Sequence, residues 1–327
     1  MPMRFRAAFM LAAVAALFAV SAPAAAASDY PVRSITLVVP YPAGGGVDSM
    51  ARVVALKLSD ALKQQVVVEN RGGGGGTVGT KFVARAAPDG YTLLLGHTGT
   101  ISINPALYTN LAIDPEKEFA PIGLVASMPV ALLAHPSFEG KTVADLIKLA
   151  KDKPGALNIG TSAMGTGGYM AAELFKTVAG VDVAIIPYKG TAPVMNDLLG
   201  GHVPVAFGVL PPALGNIQAG KLRVVAVTSK KRFSLLPDVP TFDENGLPGF
   251  DAVLHYGVLA PAGTPKEIVD KLSVELRKLV ATDEVKQRIH MEGGDPLAST
   301  PEEYAADIAS EAQKWGGLVK KLGLKVE

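Results

Sequence analysis

The sequence predicts an α/β protein with largely parallel sheets, divided into two domains. Short runs of β-branched and aliphatic residues alternate with longer amphipathic stretches along most of the chain, as in proteins whose parallel strands are joined by helices. The 327 residues exceed the roughly 150 that are typical of one domain. With 49% hydrophobic and 19% charged residues, the chain has enough apolar side chains for two cores.

The individual elements follow from hydrophobic spacing. Residues 35–39 form a continuous apolar run, which predicts a strand covered on both faces. After a loop, Met50, Val54, Leu58 and Leu62 recur every four positions and predict a helix. Further strands are predicted at 66–68, 92–96, 130–134, 157–160, 183–186, 203–207 and 222–227. Between 265 and 322 we predict no strand but two helices, 265–282 and 301–322, and at 72–76 a flexible surface loop.

Composition and charge exclude several classes of function. The 31 Lys and Arg residues balance 30 Asp and Glu residues, which excludes a strongly basic nucleic-acid binder. The absence of cysteine excludes disulfides, thiol catalysis, cysteine-based metal sites and a lipidated N-terminus. The five histidines are dispersed without metal-ligand spacing, so we predict no metal and no cofactor.

The N-terminus, residues 1–27, has the pattern of a cleaved signal peptide. Arg4 and Arg6 precede the apolar stretch 7–20, and small residues lead to an A-x-A site that ends at Ala27. The alternative is a membrane anchor, because the uncharged stretch 7–27 approaches the roughly 20 residues that span a bilayer. Its richness in Ala, Ser and Pro favours the signal peptide. The sequence therefore predicts an exported protein.

Two segments share one plan of strand, small-residue loop and amphipathic helix. They are residues 39–51 and 159–171, one in each half of the chain. A helix N-terminus exposes unpaired N–H groups and a partial positive charge, and small residues let a ligand approach the backbone. Two such loops facing one cleft predict an anion site that needs no Lys or Arg.

Known nucleotide and hydrolase motifs do not match these loops. A Walker A motif ending at Gly140-Lys141-Thr142 has His135 in place of its first glycine. The dinucleotide pattern G-x-G-x-x-G fails because Ser49 and Met170 stand where glycine is needed. The nucleophile elbow G-x-S-x-G around Ser162 ends in Met164 instead of glycine. The sequence therefore gives no positive sign of an enzyme, although one is not excluded.

The segment Val39 to Arg52, VPYPAGGGVDSMAR, resembles the first signature of the Bug-type periplasmic receptors. These TctC-like proteins are the substrate-binding subunits of tripartite tricarboxylate transporters. Further blocks resemble the family in the family's order, so the resemblance covers essentially the whole mature chain. They are VVENR at 67–71, DGYTLL at 89–94, PYKG at 187–190, AGKLR at 219–223, LPDVPT at 236–241 and APAGTP at 260–265.

The resemblance implies a two-lobed periplasmic binding protein of the Venus-flytrap type. Lobe 1 would comprise residues 28–128 plus 255–327 and lobe 2 residues 129–254, with chain crossings near 127–130 and 253–257. The implied function is that of a monomeric periplasmic receptor, which binds a small carboxylate in the interlobe cleft and delivers it to the membrane subunits of the transporter. It implies no catalysis, no cofactor and no nucleic-acid partner. The alternative is a secreted enzyme of the same fold that acts on a small carboxylate.

The resemblance also nominates the residues that hold the proximal carboxylate. Backbone N–H groups of Gly and Ala and the hydroxyls of Ser162 and Thr166 would donate to the anion, while Asp48 is expected to stabilise a helix N-terminus. Tyr188 and Thr191 are expected to wall the cleft in the second lobe, with a packed structural aromatic as the alternative for Tyr188. The nominated loop residues are Tyr41, Pro42, Ala43, Gly44 and Gly45 in one lobe and Ser162, Ala163, Gly165 and Thr166 in the other.

The far end of the ligand is expected to meet His97, Thr98, Thr100, His255 and Tyr256. None of these is acidic, and Pro204 stands where relatives often carry an acidic residue, which favours a di- or aromatic carboxylate over an amino acid. A histidine that binds a distal carboxylate would be charged, so its pKa would rise on binding. The affinity would then fall as the pH increases through the neutral range.

Overall fold

The computed structural model describes residues 29–111 and 113–326. The predicted signal peptide at 1–27 lies outside the described residues. No helix among those that are described is long and apolar enough to cross a membrane.

The described elements follow the predicted alternation of strands and helices. The strands are β1 (Ile35–Val39), β2 (Val66–Asn70), β3 (Thr92–His97), β4 (Phe119–Ala134), β5 (Asn158–Thr161), β6 (Ala184–Pro187), β7 (Val205–Val209), β8 (Arg223–Val227), β9 (Val253–Pro261) and β10 (Asp295–Pro296). The helices are α1 (Gly46–Leu62), α2 (Thr77–Ala84), α3 (Asn104–Leu107), α4 (Pro115–Glu118), α5 (Val143–Asp152), α6 (Gly167–Ala179), α7 (Thr191–Leu199), α8 (Leu214–Gln218), α9 (Lys266–Ala281), α10 (Asp283–Met291) and α11 (Pro301–Leu322).

The strands form a mixed sheet, whereas the sequence predicted largely parallel pairing. The order is β2-β1-β3-β9-β4-β7-β5-β6, with β8 and β10 also paired to β4. Strand β1 pairs in parallel with β2 and β3, and β5 pairs in parallel with β6 and β7. Every pairing of β4 or β9 is antiparallel. The two crossing strands therefore introduce the antiparallel pairs, and each lobe keeps a parallel half.

Strand β4 belongs to both halves of the sheet. Its residues up to Pro129 pair with β9, and from Val130 onward it pairs with β7 and β8. The change of partner at Pro129 lies within the segment where the sequence predicted the first crossing. The predicted boundaries of the two lobes remain a proposal.

Helix α11 connects the two cores, although the sequence placed all of residues 255–327 in lobe 1. Tyr304 and Ile308, near its start, pack with Val38 and Leu259 of the first half. Trp315, Leu318 and Val319, near its end, lie in the hydrophobic cluster that includes Ile103 and Leu107 and extends to Val130, Leu132 and Phe207 of the second half. A helix of 22 residues is about 33 Å long, which is enough to cover both cores. Hydrophobic periodicity shows which face is buried but not which core buries it.

The prediction of two helices and no strand in the last third of the chain was incomplete. The last third of the chain contains the short helix α10 and the two-residue strand β10, which pairs with β4. Both elements are too short for a clear periodic signal. The glycines at 72–75 are exposed, as expected of a surface loop, and the Gly75 carbonyl accepts hydrogen bonds from Tyr41 Oη at 3.1 Å and Asn104 Nδ2 at 2.8 Å.

Candidate functional site

The first small-residue loop is fixed by a buried carboxylate. Asp48 is 4% exposed and accepts hydrogen bonds from Gly44 N at 2.9 Å, Asn70 Nδ2 at 3.0 Å and Arg52 Nε at 3.0 Å. Burial raises the pKa of Asp48, but the hydrogen bonds from Arg52, Gly44 and Asn70 outweigh it and hold the pKa below its ordinary value. Asp48 therefore shapes the loop. The Gly44 N–H is already engaged, which corrects the expectation that it donates to the ligand.

Helix α1 begins at this loop without a side-chain cap. Gly45 is its N-cap, and no side chain accepts a hydrogen bond there. In the described part of the chain, the N–H groups of Gly46 and Val47 donate to no protein group. Both residues border the cleft. The positive end of α1 is thus open to an anion.

The second small-residue loop is held together by hydroxyl groups. Thr166 is the N-cap of α6, and its Oγ1 accepts from Ser162 Oγ at 2.9 Å and Tyr169 N at 3.4 Å. The same hydroxyl donates to Ala163 O at 2.7 Å. Its proton is therefore committed to the loop, which corrects the expectation that Thr166 donates to the ligand.

Gly167 and Gly168 supply the open N–H groups at the start of α6. Both border the cleft, and within the described residues neither N–H has a protein acceptor. A Cβ on Gly168 would lie 2.7 Å from Phe207 O, so only glycine fits there. These two glycines lie within the repeated segment 159–171, but the residues nominated from the sequence ended at Thr166, just before them.

A third helix N-terminus comes from α7, which begins at Thr191. Its N-cap, Gly190, has φ 153°, a backbone conformation that favours glycine. Thr191 borders both chambers of the cleft, as the sequence led us to expect of a wall residue. Tyr188, which the sequence also suggested as a wall, instead donates to Asp197 Oδ2 at 2.6 Å and packs against lobe 2.

The cleft between the lobes has two adjoining chambers, which share Val47, Thr191, Val209 and Tyr256 as lining residues. The first has a volume of about 180 Å³ and the second about 360 Å³. The described residues that line them include no Lys or Arg. The first is lined by Tyr41, Val47, His97, Leu133, Ser162, Thr166, Gly167, Gly168, Thr191, Val194, Met195, Ala206, Phe207, Gly208, Val209, Leu254 and Tyr256, and the second by Gly44, Gly45, Gly46, Val47, Ser49, Met128, Thr191, Val209, Pro211, Pro212, Tyr256 and Glu292.

His97 forms one wall of the first chamber between two tyrosines. Its ring centroid lies 5.2 Å from that of Tyr41, in a stacked arrangement, and 5.4 Å from that of Tyr256. Gly99 N donates to His97 Nδ1 at 2.8 Å, so Nδ1 is unprotonated and the neutral ring carries its proton on Nε2. Burial lowers the pKa of His97 to about 4. Without a ligand His97 is therefore neutral, and the predicted rise of its pKa on carboxylate binding stays a prediction.

Three residues expected at the far end of the ligand do not line either chamber. Thr100 Oγ1 donates to His97 O at 3.0 Å, and Thr98 Oγ1 accepts from His255 N at 2.8 Å. The His255 ring lies 2.7 Å from Asp307 Oδ1 of α11. Burial lowers the pKa of His255, but the hydrogen bond and charge of Asp307 outweigh burial and raise the pKa. The turn after β3 folds back on itself, which uses both hydroxyls and directs His255 to α11.

The remaining nominated loop residues lie beside the chambers. Pro42 and Ala43 are exposed on the first loop, and Ala163 is exposed on the second. Gly165 has φ +83° and is buried, with Leu107 Cδ2 2.8 Å from the position of a Cβ. These residues shape the loops, and none of them lines a chamber.

Sequence reasoning missed the lining residues that come from distant segments. Val47 and Gly46 lie just beyond the first loop, and their place at a helix N-terminus was a usable signal. Met195, Pro211 and Glu292 reach the cleft from α7, the turn after β7 and the end of α10. Nothing in the sequence alone brings these segments together.

This chain is similar to known proteins along almost its whole length. Residues 50–324 match the tripartite tricarboxylate transporter family receptor. Protein BugT of Bordetella pertussis is 36% identical over 321 residues, which cover 97% of this chain and 98% of BugT.

Solved structures of similar proteins share the fold. BugD, a periplasmic binding protein, is 39% identical with a TM-score of 0.78, over 91% of this chain and 100% of BugD. An R. palustris protein solved with adipate is 35% identical with a TM-score of 0.81, over 91% of this chain and 100% of that protein. MatC from Rhodopseudomonas palustris, with bound malate, is 33% identical with a TM-score of 0.77, over 89% of this chain and 100% of MatC. Because the family match spans most of its length, this chain belongs to the receptor family of the tripartite tricarboxylate transporters.

Proposed function

We propose that the protein is a periplasmic solute receptor, which binds a small carboxylate in the cleft and delivers it to the membrane subunits of a tripartite tricarboxylate transporter. The observation that supports this most directly is the set of three helix N-termini, those of α1, α6 and α7, that border one cleft lined without Lys or Arg. Their unpaired N–H groups and positive dipole ends attract an anion without a charged side chain.

The energetics favour a carboxylate bound by backbone groups. A hydrogen bond to a charged group contributes about 1.5–3 kcal/mol, so a few such bonds offset the desolvation of one carboxylate. Val194, Leu133 and Phe207 offer an apolar wall for the carbon skeleton. The first chamber, at about 180 Å³, is smaller than the roughly 300–1,000 Å³ of drug-sized pockets and suits a small metabolite.

The relatives support the same class of ligand. One similar structure contains adipate and another contains malate, both small carboxylates. The family description supports a transporter as the partner. We extend both properties to this chain, together with export by the N-terminal leader, a monomeric state and binding without turnover.

The proposed site can be tested with a substitution that blocks the N-terminus of α1 and leaves the fold intact. A side chain at Gly45 meets only Pro42 O, at 3.9 Å from its Cβ, and otherwise projects into open space beside the second chamber. Gly45→Val should weaken the binding of adipate and malate by about tenfold or more, because it blocks the N-terminus of α1. The melting temperature without ligand should move little.

The matched control is Gly317→Val, at an exposed helical glycine of α11 with open space around it. It should bind both probes as the wild type does. Calorimetry measures the affinities, and mass spectrometry of the recovered probe shows whether it is unchanged. Equal affinity in the Gly45→Val variant and the wild type would contradict the proposed site, and conversion of the probe would favour an enzyme.

A further inference from the structure

Glu292 places a carboxylate on the wall of the second chamber. It is partly buried and borders the same chamber as Gly45 and Gly46 at the N-terminus of α1. Among the described residues that line either chamber, it is the one with a charged side chain. Among the ion pairs of the described residues, none involves the Glu292 carboxylate.

The position of Glu292 does not stabilise its own helix. It is the C-cap of α10, where the negative end of the helix dipole disfavours an acidic side chain. The preceding turn carries Arg288 and His290, the charge type that this end of a helix prefers. A glutamate at this position interacts unfavourably with the dipole of α10, so the stability of this helix does not explain why a carboxylate lies here.

The turn that carries Glu292 is held tightly at the seam between the lobes. Gly293 has φ +75°, and its Cβ position lies 2.8 Å from Pro211 Cδ of the second lobe. The Cβ position of Gly294 lies 3.1 Å from Ser127 O of β4. Ser234 Oγ donates to Asp295 Oδ1 at 2.6 Å, which ties the end of the turn to the second lobe. The backbone that carries the Glu292 carboxylate is therefore held in place by contacts with both lobes.

We propose that the natural ligand carries a cationic group, such as an ammonium, besides its carboxylate, and that Glu292 pairs with this group. The inference rests on the proposed function, since it assumes a carboxylate at the helix N-termini. A zwitterion matches the cleft because its carboxylate can meet the helix N-termini while its cation meets Glu292, which borders the same cleft. A second carboxylate in the second chamber would face Glu292 and be repelled. This reverses the preference for a dicarboxylate that the sequence alone suggested.

The test compares ligands that share one carbon skeleton. Pentanoate carries one carboxylate and no other charge. An ammonium is added in 5-aminopentanoate and in norvaline, and a second carboxylate is present in glutarate. With the wild-type protein, one of the two amino compounds should bind about tenfold or more tightly than pentanoate, and glutarate should bind more weakly than that amino compound.

The variant Glu292→Gln should lose about tenfold in affinity for the preferred amino compound and leave pentanoate unchanged. Its affinity for glutarate should rise. The matched control Glu267→Gln, an exposed glutamate at the start of α9, should behave as the wild type. The melting temperature without ligand shows that each variant is folded.

The outcomes separate the two proposals. If pentanoate or glutarate binds as tightly as both amino compounds, and Glu292→Gln changes none of the affinities, the role of Glu292 is overturned while the carboxylate receptor stands. If no carboxylate binds at all, including adipate and malate, the proposed function fails and this inference fails with it.

Discussion

At the scale of single residues, the two small-residue loops reach the same shape with different chemistry. In the first loop, the carboxylate of Asp48 accepts hydrogen bonds from Gly44, Asn70 and Arg52. In the second, the hydroxyl of Thr166 both accepts and donates within the loop. Each polar side chain forms its hydrogen bonds within its own loop, and the first backbone N–H groups of the following helix have no protein acceptor among the described residues.

Thr166→Val should reduce both stability and affinity. The variant removes the N-cap of α6, which costs about 1 kcal/mol of the free energy of unfolding. Because the loop loses its internal hydrogen bonds, the open N–H groups of Gly167 and Gly168 shift, and adipate binding should weaken several-fold.

Thr142→Val provides the control for this prediction. Thr142 is also a helix N-cap, in a capping box with Asp145, but it lies on α5 and lines neither chamber. It should lose a similar amount of stability, measured by denaturant unfolding, and keep its affinity for adipate. Equal affinity losses in both variants would show that the effect of Thr166 is general destabilisation.

The buried His97 should make the protein sensitive to acid. Its pKa of about 4 in the folded state lies below the ordinary value near 6.5, so the unfolded chain takes up a proton first as the pH falls. The stabilisation from neutral His97 is complete above about pH 6.5 and is lost as the pH falls towards 4. The shift corresponds to about 3 kcal/mol.

Urea unfolding at pH 7, 5.5 and 4.5 checks this expectation. His97→Gln should lose less free energy of unfolding over this range than the wild type, whatever its stability at pH 7. His135→Gln, which removes a histidine outside the cleft, should follow the wild type. Parallel curves for the wild type and His97→Gln would contradict the buried neutral state.

At the scale of elements, the strongly periodic segments were predictable and the contacts between distant segments were not. Strand β1 and helix α11 have the predicted bounds, because an apolar run and a capped amphipathic helix are local patterns. The proton position on His97 depends on Gly99 N, and the role of His255 depends on Asp307 of α11. Such pairings follow from tertiary structure, which a single sequence does not specify.

The same limit explains which part of the candidate site was predicted. The loops at 41–45 and 162–166 carry recognisable residues, so their place at the cleft followed from the resemblance. Glu292 and Pro211 arrive from segments whose own patterns indicate only a helix end and a turn. Their contribution depends on how the lobes meet.

At the scale of the whole molecule, helix α11 makes the two lobes parts of one unit. Trp315, the single tryptophan of the chain, is 1% exposed in the core of the second lobe, and its Nε1 donates to Glu311 Oε2 at 2.7 Å. Ile308, on the same helix, packs in the core of the first lobe. Loss of either contact therefore weakens the link between the two cores.

Unfolding should accordingly be cooperative across both lobes. Tryptophan fluorescence reports the second core and far-ultraviolet circular dichroism reports the whole chain, and their transitions in urea should coincide. Ile308→Ala and Leu318→Ala should each cost about 2–5 kcal/mol and move both transitions together. A fluorescence transition at lower urea than the dichroism transition would show that the lobes unfold separately.

The pairing of β4 also sets the time at which the chain can fold. All its partners, β7, β8, β9 and β10, are synthesised after it, and β9 follows the whole second half of the sheet. Ribosomes add about 5–20 residues per second, and pairing between distant strands is slow in itself. For a chain with the proposed export leader, the first lobe stays incomplete until most of the sequence has emerged. The strand order that builds the cleft therefore delays completion of the first lobe until β9 and β10 have been synthesised.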